Sequence, residues 1–111
     1  MPRRSQAVAL DAMFDALASE RRREIVMRLA RSPMSTPEIR HHFGFSKQAL
    51  SRHLAVLEDA GLVSRHVRGR VHHQALAPQR LDGVVQWVSE LRRGWAASLV
   101  RLDEVLSEQQ N

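Results

Sequence analysis

Two helix start signals stand eleven residues apart in this chain, with a tight stop between them. Ser35-Thr36-Pro37-Glu38 reads as a capping box: the Ser35 hydroxyl accepts from an orphan first-turn amide and Glu38 reaches back. Pro37 fits there because first-turn amides have no partner inside the helix. This helix carries Ile39 and Phe43 inward and ends at Gly44. Only Gly44 and Phe45 separate it from Ser46, the next N-cap. A second helix runs from about Lys47 to Ala60 and stops at Gly61, a C′ glycine. Two short helices joined through so tight a glycine-containing turn form a helix-turn-helix.

The second of these helices carries the chemistry. Leu50, Leu54 and Leu57 recur at i, i+4 and i+7 and define a buried face. The opposite face then presents Lys47, Gln48, Ser51, Arg52 and Ala55. Arg suits the paired acceptors of guanine, and Gln suits adenine. No acidic residue interrupts this face before Glu58 and Asp59, as insertion into a polyanionic groove requires. A solvated amphipathic helix would share the periodicity. The capped helix before it, the tight turn and the basic segment after it favour DNA.

That basic segment consists of two alternating stretches, Leu62–Val67 and Val71–Leu76, joined by Arg68-Gly69-Arg70. They read as a β-hairpin. Arg68 and Arg70 place two guanidiniums at its tip, and Arg65 and His66 extend the strip. A hairpin after a recognition helix is a wing that touches phosphates or the minor groove. Upstream, Ala7, Leu10, Phe14 and Leu17 recur at helical spacing between about Ser5 and Ala18, with Ala9, Met13 and Ala16 beside them. A further helix from Glu20 to Arg31 has Ser19 as N-cap and Ile25, Val26 and Leu29 as its stripe. Ser32-Pro33-Met34 reads as a break. Downstream, Pro78 opens a long helix to about Glu108. Leu81, Val88, Trp95 and Leu102 recur every seven residues along it. Val84, Leu91 and Val105 form a second row, broken by Ser98. Such rows suit helix pairing, and the rings of Trp87 and Trp95 suit an interface core.

Composition narrows the function. A chain of 111 residues has room for one small domain. Residues 1–77 hold 13 basic and 7 acidic side chains, a net +6, whereas residues 78–111 hold 4 and 5, a net −1. A basic front on a small globular chain points to nucleic acid. No cysteine is present, so disulfides, thiolate metal sites and thiol nucleophiles are excluded together. No apolar run is long enough to cross a bilayer and no signal-peptide pattern occurs, so a cytoplasmic location is expected. No catalytic constellation or phosphate loop is visible. Asp103-Glu104 reads as solvent-facing, and the chain is not expected to be an enzyme.

Several stretches together are specific. Phe14-Asp15-Ala16-Leu17-Ala18 is followed by Arg21-Arg22-Arg23-Glu24-Ile25-Val26, by 46–54 (Ser-Lys-Gln-Ala-Leu-Ser-Arg-His-Leu), by Leu57-Glu58-Asp59-Ala60-Gly61-Leu62-Val63, and by Gly69-Arg70. Over about Met13 to Leu106 the chain resembles the ArsR/SmtB-type winged helix-turn-helix repressors of bacteria and archaea. The resemblance implies a mainly α fold with a β-hairpin wing, in the order α-α-α-α-β-β-α. It implies one domain over 1–111, with a reading head over about 35–77 and dimerisation helices over about 5–18 and 78–108. The implied function is a homodimeric repressor reading a palindromic operator in double-stranded DNA. Lys47, Gln48, Ser51, Arg52, His53, Arg65, Arg68 and Arg70 would contact DNA. Leu10, Phe14, Val88, Leu91, Trp95, Leu99 and Leu102 would form the dimer interface. The Arg21–Arg23 run is expected to support the head rather than read DNA.

The resemblance also implies an effector, often a metal. The thiolate site of the family would lie in the stretch Met34–His42, which has no cysteine. A second family site uses Asp and His on the last helix, and residues 78–111 contain no histidine. Adjacent histidines diverge, by about 100° on a helix or to opposite faces of a strand, so neither His41-His42 nor His72-His73 chelates one ion easily. No metal or cofactor is therefore expected, and the effector stays unidentified. Two alternatives stand beside this reading: a winged-helix protein-interaction module that reads no DNA, and a repressor sensing metal through histidines shared between subunits.

Overall fold

The computed structural model describes residues 2–109. Serine caps set the starts of three helices. After α1 (Pro2–Leu17), the Ser19 side chain accepts from the Arg22 amide and opens α2 (Glu20–Leu29). Ser35 and Glu38 form the reciprocal capping box of α3 (Thr36–Phe43), with the Glu38 amide donating to Ser35 Oγ at 3.2 Å. Ser46 caps α4 (Lys47–Asp59) by accepting from the Ala49 amide at 3.1 Å. Gly44 ends α3 in the left-handed region at φ 73°, and its N–H donates to the Arg40 carbonyl.

α4 ends in a Schellman motif. The Gly61 amide donates to Glu58 O and the Leu62 amide to Leu57 O. The chain then enters β2 (Val63–Arg68), which pairs antiparallel with β3 (Val71–Leu76). The turn between them is the two residues Gly69-Arg70, because Arg68 pairs with Val71 as the last rung of the ladder. Arg68 thus belongs to the strand, not to the turn expected from the sequence.

A third strand, β1 (Met34–Ser35), pairs antiparallel with β3 and makes it the centre of the sheet, in the order β1-β3-β2. The sequence pattern places a break over 32–34 and a helix cap at Ser35, with no strand between them. The capping serine needs extended backbone, and Ser35 adopts it at φ −72°, ψ 155°. That lets two residues lie against the wing, in the registers Met34 to Gln74 and Ser35 to His73.

The core of residues 1–81 lies beneath α3 and α4. Leu50, Leu54 and Leu57 are buried, with Ile39 of α3, Ile25 and Leu29 of α2, and Leu62 at the mouth of the wing. From α1 the core takes Met13 and Ala16. The neighbouring row is left partly in solvent: Phe14 is 39% exposed, and Leu10 and Leu17 are half-buried. α2 ends at Leu29, two residues earlier than its pattern suggests. Pro78 opens a 3-10 turn over Pro78–Arg80, and α5 (Leu81–Gln109) begins after it.

Residues 82–111 form a second unit. In its described part, a single helix, no residue is buried. Val88, Leu91, Trp95, Leu99 and Leu102 are 40–66% exposed.

Candidate nucleic-acid interface

α4 is turned by its three leucines. With Leu50 and Leu57 fully buried and Leu54 nearly so, the helix has no rotational freedom. Lys47, Gln48, Ser51 and Arg52 all face solvent. None of these four side chains is committed to a protein partner among the described residues, so their donors and acceptors are open to a ligand. Further along α4, Glu58 stands 4.0 Å from Arg65 of β2. This contact is half-exposed, and such pairs contribute little stability. Its geometric effect is to tie the wing to the reading helix. Arg65 therefore sits against a carboxylate, while Arg68 and Arg70 at the hairpin end have no hydrogen-bond or ion-pair partner among the described residues.

His53 stands apart from the outward row. It is half-buried, its ring lies 5.2 Å from that of Phe45, and its Nδ1 is 3.4 Å from Arg22 Nη1. Burial, and after it the charges of Arg22, Arg21 and Arg52, hold its pKa below the usual 6.5.

The Arg21–Arg23 run of α2 acts on helix ends. Arg22 donates from Nε to Ala16 O at 2.7 Å and from Nη2 to Asp15 O at 3.0 Å. Arg23 donates to Leu17 O at 2.7 Å, and Arg21 donates to Phe43 O at 2.8 Å while its guanidinium lies 4.4 Å from the Phe45 ring centre. These carbonyls belong to the last turns of α1 and α3, where intrahelical amides run out, and Asp15 O accepts from the Ala18 amide as well. Cations are also favoured there by the helix dipole. The supporting role expected of this run thus has a specific form, the capping of two helix C-termini.

The sequence reading missed the link between α3 and the wing. Thr36 Oγ1 donates to His72 O at 3.3 Å and accepts from Gln74 Nε2 at 3.4 Å. Gln74 is 1% exposed, and its Oε1 has no partner among the described residues. The participants are separated by 36 and 38 residues, so no local pattern signals the contact. Of the other histidines, His66 and His73 face each other across β2 and β3, and His66 Nε2 lies 3.0 Å from Ser64 Oγ. No group of three or more metal-ligating side chains occurs among the described residues.

A capped helix-turn-helix carrying an open cationic row, followed by a hairpin with arginines at its end, defines a winged-helix DNA-binding protein. Comparison with known proteins gives the family. The profile of the bacterial regulatory protein, arsR family, matches residues 19–65. An HTH-type transcriptional regulator of Mycobacterium tuberculosis is 31% identical over 99 residues, covering 89% of this chain and 90% of that protein. The transcriptional repressor SdpR of Bacillus subtilis is 29% identical over 79 residues, covering 71% and 88%. The crystal structure of an ArsR family transcriptional regulator superposes with a TM-score of 0.76 at 30% identity, over 81% of this chain and 93% of that one. An ArsR-like transcriptional regulator from Rhodococcus sp. RHA1 gives 0.79 at 25% identity, over 91% and 95%. The chain belongs to the ArsR family. It is a DNA-binding transcriptional regulator, and its class of work is not catalytic.

Proposed function

We propose that the chain is a homodimeric repressor that reads a palindromic operator with α4 in the major groove and the β2–β3 hairpin as wing. The observation that carries this is the uncommitted row of Lys47, Gln48, Ser51 and Arg52, set on a helix whose rotation the core fixes. Arg52 and Gln48 supply the two side chains able to bond bidentately to a base edge. Lys47, Arg68 and Arg70 supply charge for phosphates, and Arg65 joins them when it leaves Glu58. His53 belongs to this set as a support for α4, through Arg22, rather than as a base contact. Two reading heads related by a dyad read half-sites about 34–36 Å apart or a multiple of that.

Two apolar surfaces are offered to a second copy. One is the Leu10 and Phe14 row of α1, and the other is the Val88, Leu91, Trp95, Leu99 and Leu102 stripe of α5. The name of the B. subtilis relative favours repression over activation. No helix among the described residues is long and apolar enough to cross a membrane, which agrees with work on the chromosome in the cytoplasm.

The test is retardation of a duplex carrying the region upstream of its own gene. Gln48→Ala and Arg52→Ala should each cost about 1–3 kcal/mol of specific affinity while the protein stays folded. Unchanged affinity in both would remove α4 from the reading role and favour a protein-interaction module.

A further inference from the structure

We propose that the groove between α3, α4 and β3 seats a backbone phosphate of the operator, with Arg40 and His72 as contacts beyond the reading helix and the wing tip. The inference rests on the DNA-reading assignment above and adds a third wall to that site. A helix lying in a major groove about 12 Å wide has a phosphate strand on each side. On the wing side of α4, that strand must pass between the helix and the sheet. An open groove of about 520 Å³ lies there, bordered by Arg40, Lys47, Ser51, Arg70 and His72.

α3, α4, β2, the turn and β3 each contribute a charged or polar side chain to this groove. Arg40 comes from α3, Lys47 and the acidic Glu58 from α4, Arg65 from β2, Arg70 from the turn and His72 from β3. Glu58 is the one carboxylate on the lining, and Arg65 stands 4.0 Å from it. The groove is therefore cationic after its internal pair is set aside. Its walls are also held at a fixed separation. Thr36 at the start of α3 bonds His72 O and Gln74 Nε2, and the β1–β3 pairing repeats the link one residue upstream. A preformed cationic slot suits a phosphodiester, which carries one negative charge and several acceptor oxygens.

The experiment uses the full chain and its upstream duplex, titrated by fluorescence anisotropy between about 0.05 and 0.3 M salt. Each lost phosphate contact should lower the steepness of log K against log salt by about one. Arg40→Ala should show that loss, equally on operator and on random DNA. His72→Ala should likewise lower the slope on both duplexes. Both residues are exposed, and circular dichroism checks that the variants fold. Wild-type slopes in both variants, with Arg52→Ala still weakened, would overturn the groove as a phosphate seat and leave the reading helix standing. Unchanged affinity in Arg52→Ala as well would overturn the DNA-reading assignment itself.

Discussion

Arg22 and His53 show how a single contact fixes a protonation state. A guanidinium has donors and no acceptor, so His53 Nδ1 must be the accepting atom in their 3.4 Å contact. His53 is then neutral, with its proton on Nε2. Burial and the charges of Arg22, Arg21 and Arg52 act in the same direction and depress its pKa. The folded chain therefore holds fewer protons at His53 than the unfolded chain does. The stability this contributes is complete above pH 6.5, the ordinary histidine value, and is lost as pH falls from there through the lower folded value. Denaturant unfolding of wild type and His53→Asn between about pH 8 and pH 5 checks this. Wild type should lose stability relative to the variant as pH falls, since the amide carries no titrating proton. Parallel curves would mean that His53 is not held neutral. The sequence places His53 on α4 three residues after Leu50, at the margin of the buried stripe. Its half-burial depends on Arg22, 31 residues earlier, and is invisible to a helical-periodicity argument.

Element boundaries were mostly legible because they are made locally. Ser19, Ser35 and Ser46 cap helices through bonds three residues long. Gly44 and Gly61 stop helices by adopting φ values of 73° and 79°. The outward row of α4 was legible for the same reason, since three leucines at i, i+4 and i+7 leave one orientation. β1 was not legible, because a two-residue strand has no period and exists only through its pairing with β3. The Thr36 link to the wing and the choice of Met13 over Phe14 for the core are equally non-local. The glycine stops give a paired measurement. A side chain at either position must take the left-handed region, at about 1–2 kcal/mol. A Cβ at Gly44 would meet nothing within 4 Å, whereas one at Gly61 would come 2.5 Å from Arg80 Cδ and Nε. Arg80 is exposed and flexible, so it yields cheaply. Gly44→Ala and Gly61→Ala should therefore destabilise by similar amounts in thermal unfolding. A much larger loss for Gly61→Ala would show that the Arg80 stem is held in place.

The two ends of the charge distribution fall on different tasks. The net +6 of residues 1–77 includes Lys47, Arg52, Arg65, Arg68 and Arg70 on α4 and the wing hairpin, whereas Arg21–Arg23 close helix ends. The net −1 of residues 78–111 belongs to a helix that displays apolar side chains instead of charge. Helices in proteins owe most of their stability to packing an apolar face. α5 buries none of its 29 residues and carries Gly83 and Gly94, each costing about 1 kcal/mol relative to Ala. Its heptad row of Val88, Trp95 and Leu102, with Leu91 and Leu99 beside it, is the face that a second copy would cover. Covering one large apolar side chain is worth about 1.5–3 kcal/mol when burial is complete. Replacing Trp95 and Leu102 together by Glu should convert the proposed dimer to a monomer in sedimentation velocity. Operator affinity should fall by about 10²–10⁴, because the second half-site contact then ceases to be intramolecular. Affinity for an isolated half-site should stay near wild type, since both changes lie outside the reading head. A wild-type chain that sediments as a monomer while binding the full operator as tightly as the variant would show that this stripe serves a different partner.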